Sequence, residues 1–296
     1  MRAIFLFLFT LVNLYSQALE PRLYSNAPVN INFLALGYIY TDGTLPNNPE
    51  LDLQDANLEV DIVIAAYVHV FELFGQSAKI DLFVPKVKID GDATYKGNFV
   101  TRRTQGLGDV KTRFSLNLYG APALSLKEFS TYKQDLIIGT SFQVTTPTGT
   151  YDEDKLVNIS NNRWAFKPSF GVSQGMGDFV TEISAAVEFY TDNSDFLFGK
   201  LEQDPIYSTQ AHLIYNLPRH MWLGLDANYF WGGKTTINGN KKDNEIKDSR
   251  FGITFSLPLS RQYSLKFYGN TGVSTRTGTD FDMYGIAIQY AFGEGL

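Results

Sequence analysis

The sequence predicts an all-β protein: a transmembrane up-and-down antiparallel β-barrel of about 12 strands, with one short periplasmic helix near 125–132. Three observations predict it. Apolar and polar residues alternate with period two along nearly the whole chain, and the connections between the alternating stretches are short and long by turns. Aromatic residues are abundant, with 23 Phe, 17 Tyr and 3 Trp, whereas charged residues make up only 19%. A soluble domain would need a large core to hide so many rings; a membrane barrel places them on its lipid face and in its interfacial girdles.

The chain opens with Met1-Arg2, an apolar run from Ala3 to Leu14 and the small-x-small triplet Ser16-Gln17-Ala18. This pattern predicts a signal peptide over 1–18 and an outer-membrane barrel domain over 19–296. The apolar run falls short of the ~20 residues that a spanning helix needs, and no apolar stretch of that length follows it. Strands must therefore do the crossing. Loss of Arg2 takes the formal charge from -6 to -7, and no basic patch suits nucleic acid. The absence of cysteine excludes disulfides and thiolate metal sites.

Candidate strands run over 29–40, 58–70, 78–89, 109–119, 135–146, 163–173, 181–190, 206–216, 221–231, 250–257, 262–273 and 281–292. The second shows the alternation plainly: Leu58, Val60, Ile62, Ile64, Ala66, Val68 and Val70 share one face, opposite Asn57, Glu59, Asp61, Tyr67 and His69. That apolar face is expected to meet lipid. Val110, Phe114, Leu116 and Leu118 oppose Asp109, Lys111 and Arg113 in the same way, and Phe251, Ile253, Phe255 and Leu257 oppose Arg250, Thr254 and Ser256. These candidates run about ten residues, the ~9–11 of a tilted spanning strand, rather than the five or six usual in a soluble sandwich.

Short turns are expected at 72–76, 175–177, 217–219 and 258–261, and longer polar loops at 41–55, 91–106, 147–162, 191–204 and 232–247, with a shorter one at 274–280. Turns on one rim and loops on the other are the mark of an outer-membrane barrel, with turns and termini in the periplasm. The connection over 120–133 breaks the rule by its length. Ser125 with Glu128 three positions on forms a capping box, which predicts the short helix beneath the barrel mouth.

With the polar faces turned inward, the lumen is expected to hold Glu59, Asp61, Lys79, Asp81, Asp109, Lys111, Arg113, Arg163, Lys167, Glu182, Glu188, Asp226, Arg250 and Lys266. Buried charges of mixed sign must be paired whatever the function. They can brace a filled barrel or line a pore, and about 12 strands lie between the filled eight and the open sixteen. Trp164, Trp222 and Trp231, with Tyr207, Tyr229 and Tyr263, stand near strand ends where girdles belong. The triplet Phe196-Leu197-Phe198 is an apolar island in a polar loop, suited to plug the lumen or to meet an apolar solute. His69, His212 and His220 lack metal-ligand spacing, and neither a nucleophile–base pair nor a cofactor motif is discernible, so no enzyme is expected.

The last strand, Tyr284-Gly285-Ile286-Ala287-Ile288-Gln289-Tyr290-Ala291-Phe292, resembles the terminal signal read by the outer-membrane assembly machinery, although Gly293 to Leu296 follow it. Specific words resemble a known family: the opening from Pro21 to Leu34, Phe74-Gly75-Gln76-Ser77-Ala78-Lys79, Gly106-Leu107-Gly108-Asp109 and Gly120-Ala121-Pro122-Ala123-Leu124. Asn162-Arg163-Trp164-Ala165-Phe166-Lys167-Pro168, Gln203-Asp204-Pro205-Ile206-Tyr207 and Tyr229-Phe230-Trp231-Gly232-Gly233 follow in order. Together they are similar to the MetA-pathway phenol-degradation family of outer-membrane transporters. The resemblance implies passage of small-molecule solutes, hydrophobic or aromatic ones among them, and defines no binding residues; a monomer in contact with outer-membrane lipid is the default expectation. The alternative is a side-chain-filled structural or adhesive barrel that transports nothing.

Overall fold

The computed structural model describes residues 19–45, 53–95, 97–197, 199–274 and 280–296. The leader expected over 1–18 lies outside them. In chain order the elements are β1 (Ile31–Leu45), β2 (Leu53–Leu73), β3 (Gln76–Tyr95), β4 (Asn98–Leu107), β5 (Lys111–Tyr119), α1 (Leu126–Phe129), β6 (Leu136–Thr145), β7 (Ala165–Met176) and β8 (Phe179–Tyr190). They continue with β9 (Asn193–Phe196), β10 (Gly199–Gln203), β11 (Ile206–Asn216), β12 (Trp222–Gly232), β13 (Thr235–Ile237), β14 (Asn240–Lys241), β15 (Ile246–Pro258), β16 (Tyr263–Ser274) and β17 (Asp280–Gly293).

Antiparallel neighbours follow one another round a ring that closes where β1 pairs with β17, from Ile31 against Gly293 to Thr44 against Asp280, while β2 pairs with both β1 and β3. The ring is a closed barrel of 12 strands: β1–β3, β5–β8, β11, β12 and β15–β17. Closure is obligatory, because a strand edge left open in hydrocarbon would strand a row of backbone donors and acceptors at several kcal/mol each. The strands join at one rim through tight turns. Phe74 and Gly75 both take positive φ, 54° and 75°, the pairing that a two-residue hairpin requires for its twist to match the strands. α1 lies at this rim, with its capping box formed: the Ser125 hydroxyl accepts from the Glu128 N–H, and the Glu128 carboxylate accepts from the Ser125 N–H at 2.9 Å. The Ser125 hydroxyl, donating to the Glu128 carboxylate at 2.7 Å, and the Ser125 N–H together hold that carboxyl below its usual range.

Outward residues form an apolar band, with Leu34 and Leu36 on β1, Phe170 on β7, Leu213 on β11, Leu225 on β12, Ile253 on β15 and Ile286 and Ile288 on β17 all substantially exposed. Trp164 stacks on Phe166, and Trp231 stacks on Tyr207 and Tyr229, at the loop end of the band; Tyr263 packs on Tyr290 at the turn end. These are the two girdles. Trp222 is the exception: it faces inward, under the guanidinium of Arg22 and the ammonium of Lys266.

The 21 residues of β2, at about 3.4 Å each, span about 70 Å, more than twice the hydrocarbon thickness. The upper parts of β1–β3 and β17 therefore stand above the band, and along the whole of β2 the expected sidedness is reversed: Val63, Ala65 and Tyr67 are exposed outward at membrane depth, whereas Ile64, Ala66, Val68 and Val70 share the inner face with Leu58, Val60 and Ile62. Ile62 pairs with Ile39 and Val87, and Val60 with Thr41 and Ile89, all facing inward and buried. Glu59 and Asp61 point outward, where Asp61 accepts from the Tyr38 hydroxyl at 2.5 Å and pairs with Lys88 at 3.5 Å. Both must be removed from the lumen set. The physical reason is that above the bilayer the outside is water and the inside is packed protein, so the apolar face must point in there, and the period of two carries the same face inward through the membrane part of β2, where both faces bear apolar residues. Val157 and Ile159 of the loop before β7 complete that inner cluster.

Three expected loops contain strands of their own. The 91–106 stretch is a hairpin in which β4 extends the upper half of β3, while β5 takes over the lower half. The loops after β8 and β12 contribute β9, β10, β13 and β14, a small antiparallel sheet at the loop rim. Its core is Phe196, Leu201 and Ile237, flanked by Leu156 and Leu197, so Phe196 and Leu197 hold this cap together; Phe198 is outside the described residues.

The band predicts a clear asymmetry between two outward positions. Ile253→Arg should destabilise the folded barrel in phospholipid by about 2–4 kcal/mol, read as a lowered urea midpoint, whereas Asp61→Ala should cost at most about 1 kcal/mol as the loss of a surface pair. Equal losses would mean that Asp61 shares the lipid band with Ile253.

Candidate functional site: an occupied lumen

The candidate site is the interior, and the residues preceding β1 occupy it. From the turn rim, where the Asn30 N–H donates to the Val70 carbonyl and the Val29 N–H to that of Leu124, the segment 19–29 climbs into the lumen. Lys79 on β3 donates to the carbonyls of Leu23 and Ser25 at 3.0 and 2.9 Å. Glu182 on β8 accepts from the Arg22 N–H at 2.7 Å, and the Arg22 guanidinium reaches Asn216 on β11. Glu20 closes the series: its N–H donates to Gln210 on β11 at 3.1 Å, and its carboxylate accepts from Arg113 on β5. Partners on opposite walls leave the segment no place but the middle.

Glycines make the room. The Tyr24 ring lies against Gly139 on β6 and Gly171 on β7, where a Cβ would come within 2.3 and 2.2 Å of ring carbons. Its hydroxyl bonds Ser169 at 2.7 Å. Leu19 rests likewise over Gly252 on β15, 2.4 Å from the position of a Cβ there. An inward glycine within a spanning strand marks such a close approach, and this was the signal in the sequence from which the occupied lumen could have been read.

The inner wall has two characters. Towards the loop rim, β1–β3 and β17 present the apolar cluster of Ile39, Leu58, Val60, Ile62, Val87, Ile89, Phe281 and Met283. Round the other strands the wall is polar and internally paired. Arg113 bonds Asp81 at 2.7 Å. Asp226 accepts from His212 at 2.6 Å and from the Thr254 hydroxyl at 2.8 Å. Glu182 also takes the Ser173 hydroxyl at 2.9 Å, and Glu188 that of Tyr190 at 2.9 Å. Arg250 donates to Asn270 at 3.3 Å.

Of the residues expected in the lumen, Lys79, Asp81, Lys111, Arg113, Lys167, Glu182, Glu188, Asp226, Arg250 and Lys266 stand on the inner face of the barrel strands. Arg163 lies just before β7 and faces the cap, 4.4 Å from the Tyr190 ring and donating to Gln203. Asp109 lies between β4 and β5 and anchors a loop, accepting from the Ser160 hydroxyl at 2.6 Å and from the N–H groups of Asn161 and Gly149, each at 3.0 Å. Sequence reasoning missed Glu20, Arg22 and Tyr24, as well as the hydroxyl and amide groups that face them. Beside Glu20 a small cavity remains, lined on the wall by Arg113, Lys167, Gln143, Gln210 and the serines 141, 169, 184 and 208.

Comparison with known proteins agrees with this architecture. Residues 41–286 match the model of the family described as "Putative MetA-pathway of phenol degradation". No curated protein matches the sequence. The fold is similar to that of the COG4313 outer membrane channel from Pseudomonas putida F1, with a TM-score of 0.79 at 19% identity over 93% of this chain and 100% of that one. The transport unit of the autotransporter AIDA-I from Escherichia coli is more distant, with a TM-score of 0.50 at 8% identity over 89% of this chain and 90% of that one. A closed ring with a lipid-facing band between aromatic girdles is an outer-membrane barrel.

The docked segment yields a protease test. Trypsin acting on the purified protein should spare the bond after Arg22 in the parent chain, because Arg22 is tied to Glu182 and Asn216 inside the wall. Gly171→Val should expose it to cleavage by displacing the Tyr24 ring. Equal cleavage rates would show that the segment does not rest on the glycine shelf.

Proposed function

The chain belongs to the MetA-pathway phenol-degradation family, and from that premise we propose that it is an outer-membrane channel for small solutes, hydrophobic and aromatic ones included, opened by movement of its own N-terminal segment. The observation that supports this reading is that the obstruction is not built from the wall. It is a strip of chain outside the strands, held by hydrogen bonds and ion pairs to a wall that is itself internally paired. Withdrawing it breaks no backbone ladder, so the ring can stay closed while the lumen opens.

The two-sided wall suits amphipathic cargo. An aromatic solute can keep its ring against apolar side chains and its polar substituent towards hydroxyls and amides, the usual composition of small-molecule sites. The protein carries out no chemistry on that solute in this reading. It works as a single chain, inserted through its terminal strand by the assembly machinery, with 1–18 removed on export.

The filled-barrel reading has its own support, since the small sheet caps the loop rim and the segment blocks the lumen below it. Planar-bilayer recording separates the two. The full chain should conduct weakly and intermittently, and the chain lacking 19–28 should give larger, stable steps that carry small aromatic anions as well as chloride. A barrel that stays silent in both forms, though folded, is the structural element and not the channel.

A further inference from the structure

Resting on the channel reading, the chamber beside Glu20 carries a more specific conclusion about the solute. The barrel wall gives this chamber two cations, Arg113 and Lys167, two amides and four serine hydroxyls. It gives it no carboxylate. Among the described residues, the only acid lining the space is Glu20, which belongs to the segment and not to the wall. Of the other inner acids nearby, Asp81 holds the far side of Arg113 at 2.7 Å, while Glu188 and Asp109 stand beside Lys111, a third cation close to Glu20.

A guanidinium fork fits a carboxylate in shape and charge, and a buried cation that loses its partner is costly unless another anion replaces it. Once Glu20 leaves, the chamber holds an excess of positive charge among groups that all can donate a hydrogen bond. The segment also presents a ring: Tyr24 sits on the shelf of Gly139 and Gly171, and its hydroxyl bonds Ser169, a residue of the same chamber. A carboxylate and an aromatic ring therefore leave the lumen together.

We infer that Glu20 and Tyr24 are a tethered stand-in for an aromatic carboxylate, and that Arg113 and Lys167 form a binding waist which such a solute occupies when the segment withdraws. Solute and segment compete for one set of donors, so the cargo itself drives the opening.

The test is equilibrium binding of benzoate to the purified full-length barrel, with benzyl alcohol as the uncharged control. Glu20→Gln lies outside every strand and should tighten benzoate binding about tenfold, the size of one charge-assisted hydrogen bond, while leaving benzyl alcohol unchanged. Adding Lys167→Gln to Glu20→Gln should reverse most of that gain, with heat-dependent gel migration showing that the barrel still folds. Benzoate bound equally by the parent and Glu20→Gln, or no more tightly than benzyl alcohol, would overturn the inference. Because binding is read apart from conduction, a barrel that conducts without this preference sinks the inference alone, whereas silence of the chain lacking 19–28 sinks the channel reading.

Discussion

The demand that every peptide group at membrane depth find a partner within the protein fixes the rest of this structure. In hydrocarbon an unpaired N–H or C=O has no water to turn to, so β1 must meet β17, and the first and last strands of the domain become neighbours. Once the ring is shut, each strand has an outer face that solvates lipid and an inner face that cannot. Aliphatic and aromatic side chains can form the outer band without further specification. The inner face must satisfy itself, and it does so by pairing polar groups across adjacent strands: Asp81 with the charge of Arg113, and His212 in a hydrogen bond with Asp226.

That inner face also explains why the N-terminal segment resides where it does. The lumen of a 12-strand ring is wider than its own side chains readily fill, and polar groups left facing a void would lack partners. Residues 19–29 supply carbonyls for Lys79, an N–H for Glu182 and a carboxylate for Arg113. Each of these contacts is between the segment and a side chain, none part of the barrel's own ladder. The segment thus completes the polar wall without being built into it, a combination that permits removal at modest cost.

Much of the architecture was legible in the sequence, and the failures share one cause. Period-two alternation located every strand of the ring, and the Ser125–Glu128 box located the helix, because both signals are local. The direction of the alternation is not local. Below Glu59 and Asp61 the second strand bears apolar residues on both faces, with Val63 and Ala65 outward and Ile64, Ala66, Val68 and Val70 inward, so nothing within that strand marks which face meets lipid or where the bilayer ends. Trp222 misled for the same reason, since its place near a strand end suits a girdle, and only the cations of Arg22 and Lys266 explain its inward turn. Polar stretches such as 98–107 resembled loops because the rule equating polarity with loops presumes a strand with one buried face, which β4 lacks. The occupied lumen left only an indirect trace, in glycines at inward positions of spanning strands, and its meaning required knowing what lay opposite.

The most direct measurement of the central claim is a covalent check of the seam. Leu36 on β1 and Ile288 on β17 stand directly opposite each other on the outer face, at the Cα spacing of about 4.5–5.5 Å from which a disulfide can form. The chain has no cysteine of its own, so Leu36→Cys with Ile288→Cys gives an unambiguous pair. Mild oxidation of the membrane-inserted protein should link them nearly completely within a single chain, and reduction should restore the original gel mobility. Failure to cross-link, or links formed only between chains, would mean that the sheet does not close on itself.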